Sequence, residues 1–315
     1  MKPAATSAPL NIARASRWVF LGGGLAAEGW INAKPAGMEL IATSRSGGPG
    51  LTALDLADGS ACKAAVNQHQ PDWVLNAGAY TAVDKAESEP ELALAVNAKA
   101  PEAFAAALNA QGGRLLQLST DFVFNGQQGV PYSVDQARDP LGVYGFTKAK
   151  GEEAVAALLG SSGKGFILRT SWVIGPVGKN FALTMLRLHR ERDQLGVVSD
   201  QVGCPSSTLN LAAACWRAID VGSNPEQSLP PVLHWSDAGA ASWFDVSVAV
   251  GELALELGLL EQHAKVSPIQ TSAYPTPATR PSYSLLECNN TRSALGLESQ
   301  HWRQALREVL QAIPR

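Results

Sequence analysis

Short apolar runs alternate with alanine-rich stretches of helical period through the first half of this chain, and that alternation constrains its fold most. Residues 18–21, 38–43, 73–76, 114–119 and 166–173 predict five strands. The longest stretch between them, residues 87–111, repeats Leu92, Val96, Phe104 and Leu108 at helical spacing. Thr81, with Asp84 three positions on, reads as the N-cap of that helix. Strand, helix, strand in this order predicts a doubly wound parallel α/β sheet of Rossmann type. Helices cover both faces, and ligands bind at the carboxyl ends of the strands.

Beyond about residue 174 the pattern changes. Residues 180–192, 208–221, 244–257 and 302–313 read as helices, residues 197–200 follow the first of them, and a loop carries Pro205. The expected organisation is a loose tail over residues 1–16, a dinucleotide-binding core over 17–174, and a smaller substrate-binding lobe over 175–315 with some segments returning to the core. The segment 274–281 holds three prolines, too many for a helix or a central strand. It reads as an ordered loop whose Arg280 can reach an anionic group.

Two sets of residues suggest chemistry. Tyr144 and Lys148 stand four positions apart, so on a helix they share one face. A phenol titrates near pH 10, and a cation one turn away is expected to lower that value. A hydroxyl from Ser119 or Thr120, at the end of the fourth predicted strand, could hold a carbonyl oxygen against the phenol. Such a trio can protonate a ketone while a cofactor delivers hydride.

The second set would hold that cofactor. Gly23-x-x-Ala26-x-x-Gly29 follows the first strand, where backbone amides and a helix N-terminus can receive a pyrophosphate. Asn76-Ala77-Gly78 offers small residues at a strand end, and Asp55-Leu56 is spaced to touch an adenine. The second strand ends in Thr43-Ser44-Arg45-Ser46 with no acidic residue. Arg45 there would welcome a 2′-phosphate, favouring NADPH over NADH; the alternative is a solvated loop arginine.

Composition narrows the rest. The 315 residues carry a formal net charge of −3, which gives no electrostatic case for nucleic acid or an anionic membrane. No apolar run approaches the roughly 20 residues that span a bilayer. Cys62, Cys204, Cys215 and Cys288 are scattered and the five histidines dispersed, which argues against structural zinc and disulfides and fits a cytoplasmic setting.

Several separate motifs, in order, resemble the extended short-chain dehydrogenase/reductases, and within them the dTDP-4-dehydrorhamnose reductases. They are the segments 76–87, 118–124, 144–148, 169–173, 180–185, 200–205 and 275–281. The resemblance implies NADPH-dependent reduction of the C4 ketone of dTDP-4-dehydro-6-deoxy-L-mannose to dTDP-L-rhamnose, with NADH as a lesser alternative. It makes Tyr144 the general acid, Lys148 its partner and holder of the nicotinamide ribose, and Thr120 the second hydroxyl. Gly23, Gly29, Asp55, Leu56, Ala77 and Gly78 would touch the cofactor, beside Asn76 and Arg45, and Trp172, Asn180 and Arg280 the nucleotide sugar. The other reading of Trp172 is a core residue on a strand.

Three positions depart from the family pattern: Ala26 for glycine, Phe122 for tyrosine, and Ile31 after Gly29-Trp30, where some relatives carry an acidic metal ligand. No metal is expected, and a homodimer stays open. Rival readings are a nucleotide-sugar epimerase or dehydratase, and a non-catalytic subunit related to that of methionine adenosyltransferase. Dehydratases place an Asp-Glu pair after the strand-end threonine, and here Phe122 follows Asp121.

Overall fold

In the computed structural model, residues 19–22, 31 and 34–314 are described, the first four by the course of their backbone. The expected tail, Gly23, Ala26 and Gly29 lie outside the described residues.

Seven parallel strands form the central sheet: β1 (Val19–Gly22), β2 (Leu40–Ser44), β3 (Leu51–Ala53), β4 (Trp73–Asn76), β5 (Arg114–Thr120), β6 (Gly165–Thr170) and, later in the chain, β9 (Val232–Trp235). Their order is β3-β2-β1-β4-β5-β6-β9, so the winding reverses between β1 and β4. A crevice at the carboxyl ends is the geometric consequence of that reversal.

Side chains of period two feed two cores. Trp73, Leu75, Leu116, Phe166 and Leu168 face one layer, against Leu211, Cys215 and Ile219 of α7 (Thr208–Ser223). Val74, Leu115 and Ile167 face the other, against Val66 of α1 (Gly59–His69), Phe104 and Leu108 of α4 (Ala100–Gln111), and Val155 of α5 (Val143–Leu159). Burying both faces is why these strands read as continuous apolar runs. A third core gathers α6 (Phe181–Glu191), α8 (Trp243–Glu256) and α9 (Trp302–Gln311) with β8 (Gln194–Val198), which pairs in parallel with β10 (Lys265–Ile269). All four cysteines are buried and free.

Four details differ from the sequence expectations. The run 166–173 is not one strand: β6 stops at Thr170, and Trp172 sits at φ 47° before the short β7 (Val173–Ile174). That left-handed conformation is uncommon for a bulky residue and turns the chain out of the sheet. In the stretch 87–111 the helix begins only at Pro90 and runs through α3 (Pro90–Leu94), a π-turn (Ala95–Lys99) and α4, with a separate short α2 (Val83–Ala86) before it; Pro90 and Pro101 each sit in a first turn. Thr81 caps nothing: Ala82 holds the N-cap position without a side-chain bond, and Asp84 pairs instead with Arg280. Of the segment 197–200, Val197 and Val198 end β8, which begins earlier, at Gln194.

Candidate active site

Strand β5 delivers Ser119 and Thr120 to the carboxyl edge, and α5 runs back beneath that edge carrying Tyr144 and Lys148. Close approach is enforced at Gly145, where an added Cβ would lie 2.1 Å from the Phe122 carbonyl oxygen. The Tyr144 ring meets Phe122 edge to face, with centroids 5.6 Å apart.

The two strand-end hydroxyls, equivalent in the sequence, are separated by the structure. Ser119 Oγ donates to Glu152 Oε1 at 2.5 Å, on the inner side of α5. Thr120 turns toward the crevice beside the Tyr144 hydroxyl, accepting from the Phe122 amide at 3.2 Å and donating to Asp121 Oδ1 at 2.9 Å. Lys148 is buried and donates from Nζ to the Leu118 carbonyl at 2.6 Å.

The expected lowering of the phenol by the lysine is not what the structure gives. Burial pushes Tyr144 up to about 12, with Thr120 opposing and the Asp121 charge adding to it. Burial also draws Lys148 down to about 8, against the attraction of Glu152. The physical reason is that desolvation disfavours both charged forms, and for the phenol only Thr120 opposes it. Asp121 is buried as well, raised to about 6 chiefly by desolvation; its Oδ2 has no hydrogen-bond partner.

A second group lies across the switch point. Thr43, Ser44, Arg45, Leu54, Asp55, Leu56, Gly78 and Ala79 line a pocket at the ends of β2 and β4. At Gly78 a Cβ would come within 2.3 Å of Leu56 Cδ1, so any larger residue would push that side chain aside in the pocket. Asn76 is buried, donates to Gln117 Oε1 at 2.8 Å, and leaves its own Oδ1 unpaired. Ala77 is half-buried beside it, and Arg45 is exposed at the pocket's rim. A pocket edged by Gly78, rimmed by a cation and with the orphaned Asn76 acceptor next to that glycine fits an adenine nucleotide. A broader cleft lined by Leu183, Arg187, Arg190 and Ile313 opens on the lobe and holds none of these groups.

The three expected sugar-site residues are engaged by the protein. The Trp172 ring stacks on Trp243, with centroids 3.5 Å apart and planes within 7°. Asn180 caps α6: its Oδ1 accepts from the Leu183 amide, and its Nδ2 donates to the Gly175 carbonyl at 2.8 Å. Arg280 is forked onto Asp84, at 3.1 Å and 2.7 Å, and also donates to Thr276 Oγ1. Asp121, Ser284, which neighbours it, and Trp243 were not singled out from the sequence as site residues. Only the carboxylate carried a usable signal, a charge directly after a strand-end threonine.

A family profile described as RmlD substrate binding domain matches residues 21–314. The chain belongs to this family. It is 42% identical over 264 residues to a dTDP-4-dehydrorhamnose reductase of Streptomyces griseus, covering 82% of this chain and 83% of that protein. It is 40% identical over 245 residues to the Escherichia coli K12 protein of the same name, covering 78% and 81%. Among solved structures, a dTDP-4-dehydrorhamnose reductase of Clostridium acetobutylicum aligns with a TM-score of 0.83 at 32% identity, covering 93% of this chain and 98% of that one. One from Bacillus anthracis in complex with NADP also gives 0.83, at 28% identity, covering 94% and 99%.

Among the described residues no helix is long and apolar enough to cross a membrane, and no cluster of three metal-ligating side chains is present.

Proposed function

We propose that this protein reduces the C4 ketone of dTDP-4-dehydro-6-deoxy-L-mannose, with NADPH, to give dTDP-L-rhamnose. The observation that carries the reading is the Thr120–Tyr144 hydroxyl pair beside buried Lys148 at the strand ends, in a chain of this family. NADPH, when bound, supplies the hydride. Arg45, Asp55, Leu56, Asn76, Ala77 and Gly78 would hold its adenylate half; Gly23 and Gly29 are assigned to its pyrophosphate from the sequence alone.

The protein's own groups manage the proton. A phenol raised to about 12 stays protonated at neutral pH, as a general acid for ketone reduction must. Tyr144 gives that proton to the C4 oxygen as charge develops there. Thr120 has one hydroxyl proton. Directed at Asp121 it leaves Thr120 an acceptor; turned to the new phenolate, it stabilises the charge Tyr144 has acquired. Lys148, at about 8, is mostly ammonium at neutral pH and adds a positive charge on the same helix face.

Phe122 supports reduction over elimination, since it presents an apolar ring edge to Tyr144 and moves no proton. Trp172, Asn180 and Arg280 are proposed as the sugar-nucleotide wall, with residues 175–315 as its principal source. Arg280 would reach a pyrophosphate by exchanging Asp84 for it. The test is NADPH oxidation with a panel of dTDP-4-keto-6-deoxy sugars, product identified by mass and NMR. Turnover of the L-lyxo-configured 4-ketone to dTDP-L-rhamnose is expected. No oxidation with any member would overturn the reading in favour of a non-catalytic role.

A further inference from the structure

One buried ion cluster behind the site has no part in the mechanism so far. Glu152 lies on α5 one turn after Lys148 and has no exposed surface. Its two oxygens carry four bonds. Oε1 accepts from Ser119 Oγ at 2.5 Å and Arg169 Nε at 2.9 Å, and Oε2 from Arg169 Nη2 at 2.7 Å and Arg138 Nη1 at 3.1 Å. Arg169 projects from β6 and is 2% exposed. Its remaining nitrogen approaches His234 Nε2 at 3.2 Å. His234 Nδ1 lies 3.1 Å from the Tyr132 carbonyl. Burial and the neighbouring guanidinium drive that imidazole down to about 3, so it is neutral, donating to Tyr132 and accepting from Arg169.

Such a cluster is weak evidence for stability, because desolvating the charges offsets their attraction. Its placement is more informative. Ser119 is adjacent in the chain to Thr120, Lys148 is one turn from Glu152, and Arg169 is three residues before Trp172. One carboxylate therefore ties together three elements: the strand that presents the second hydroxyl, the helix that presents acid and ammonium, and the strand leading to the expected substrate wall.

We propose that Glu152, through Ser119 and Arg169, is a positioning residue that sets the Thr120–Tyr144–Lys148 constellation, with its carboxylate one turn from Lys148. The inference rests on the reductase reading above. Of the charged and titratable groups on the elements packed around Lys148, those joined to the constellation or the Glu152 cluster are Tyr144 and Glu152 on α5, Asp121 after β5, Arg169 on β6 and Arg138 before α5; Lys150 pairs with Glu153, and Lys99 with Glu102, at the surface. Glu152 is the anion whose attraction raises Lys148. Removing it leaves two guanidiniums behind, and both changes disfavour the ammonium.

The experiment uses Glu152→Gln and the smaller Ser119→Ala, each beside wild type. Titration of Lys148 in selectively labelled free protein, followed by NMR, should move to lower pH by about one unit in Glu152→Gln. The alkaline limb of kcat should move with it. Ser119→Ala cuts one tie without stranding a charge. It should lower kcat roughly 10- to 100-fold with near-native melting, as expected for an acid displaced by a fraction of an ångström. A merely structural cluster would lower the melting temperature and leave both the Lys148 titration and the kcat of Ser119→Ala as in wild type, and that result overturns the proposal. If Glu152→Gln does not fold, Ser119→Ala decides by kcat alone. If wild type oxidises no NADPH while Lys148 still shifts in Glu152→Gln, the reductase reading fails and the electrostatic tie stands.

Discussion

Replacing Lys148 with methionine should stabilise this protein at neutral pH while abolishing most of its turnover. The side chain is 4% exposed, and burial takes its ammonium from the 10.5 of a free lysine to about 8. A folded value below the unfolded one means that folding must hold a charge it disfavours. The penalty is full below pH 8, fades as pH rises from 8 to 10.5, and is absent above that. At about 1.36 kcal/mol per pH unit it amounts to roughly 3 kcal/mol at pH 7. Methionine has similar length and no charge, but it forfeits the bond to the Leu118 carbonyl, a loss of about 1 kcal/mol. That carbonyl keeps the Gln117 amide as a donor at 2.7 Å, so no buried acceptor is stranded. The expected net gain is about 2 kcal/mol at pH 7, or roughly 3 °C in melting temperature for a chain of 315 residues. Chemical denaturation at pH 7 and pH 10.5 measures it, and the advantage should disappear at the higher pH. A variant that is less stable than wild type at pH 7, or equally altered at both pH values, would refute the reasoning.

The other expectations follow from the same geometry. Tyr144→Phe keeps the ring contact with Phe122 and loses only the hydroxyl; kcat should fall about 10²–10⁴-fold with NADPH affinity retained, and near-native turnover would remove Tyr144 as the acid. Arg45→Asp should weaken NADPH far more than NADH, read as the ratio of the two kcat/KM values, because it sets a carboxylate against the 2′-phosphate. Arg280→Ala breaks a half-exposed forked pair with Asp84, so about 1 kcal/mol of stability should go; KM for the dTDP-sugar rises alongside only if the arginine also meets the substrate.

The local pattern of the chain was enough for the fold class and for the helix face shared by Tyr144 and Lys148, because periods of two and 3.6 residues decide which side chains lie together within one element. The small residues at 77–78 and the absence of an acid after β2 are equally local, since they concern how near a ligand can come to a strand end. What needed the tertiary structure is everything that depends on two elements meeting. Ser119 and Thr120 are alike in sequence, and only the packing of α5 under β5 gives one to Glu152 and the other to Tyr144. The break at Trp172 and the stack on Trp243 join residues 71 apart in the chain. Asp84 reads as part of a helix start and Arg280 as a free cation until the fold brings them together. The direction of the Tyr144 shift was decided the same way. Spacing alone predicts a cation beside the phenol and hence a lower value, whereas desolvation is set by how many other segments close over the site. That sum exists only in the folded chain, and here it sets the direction of the shift.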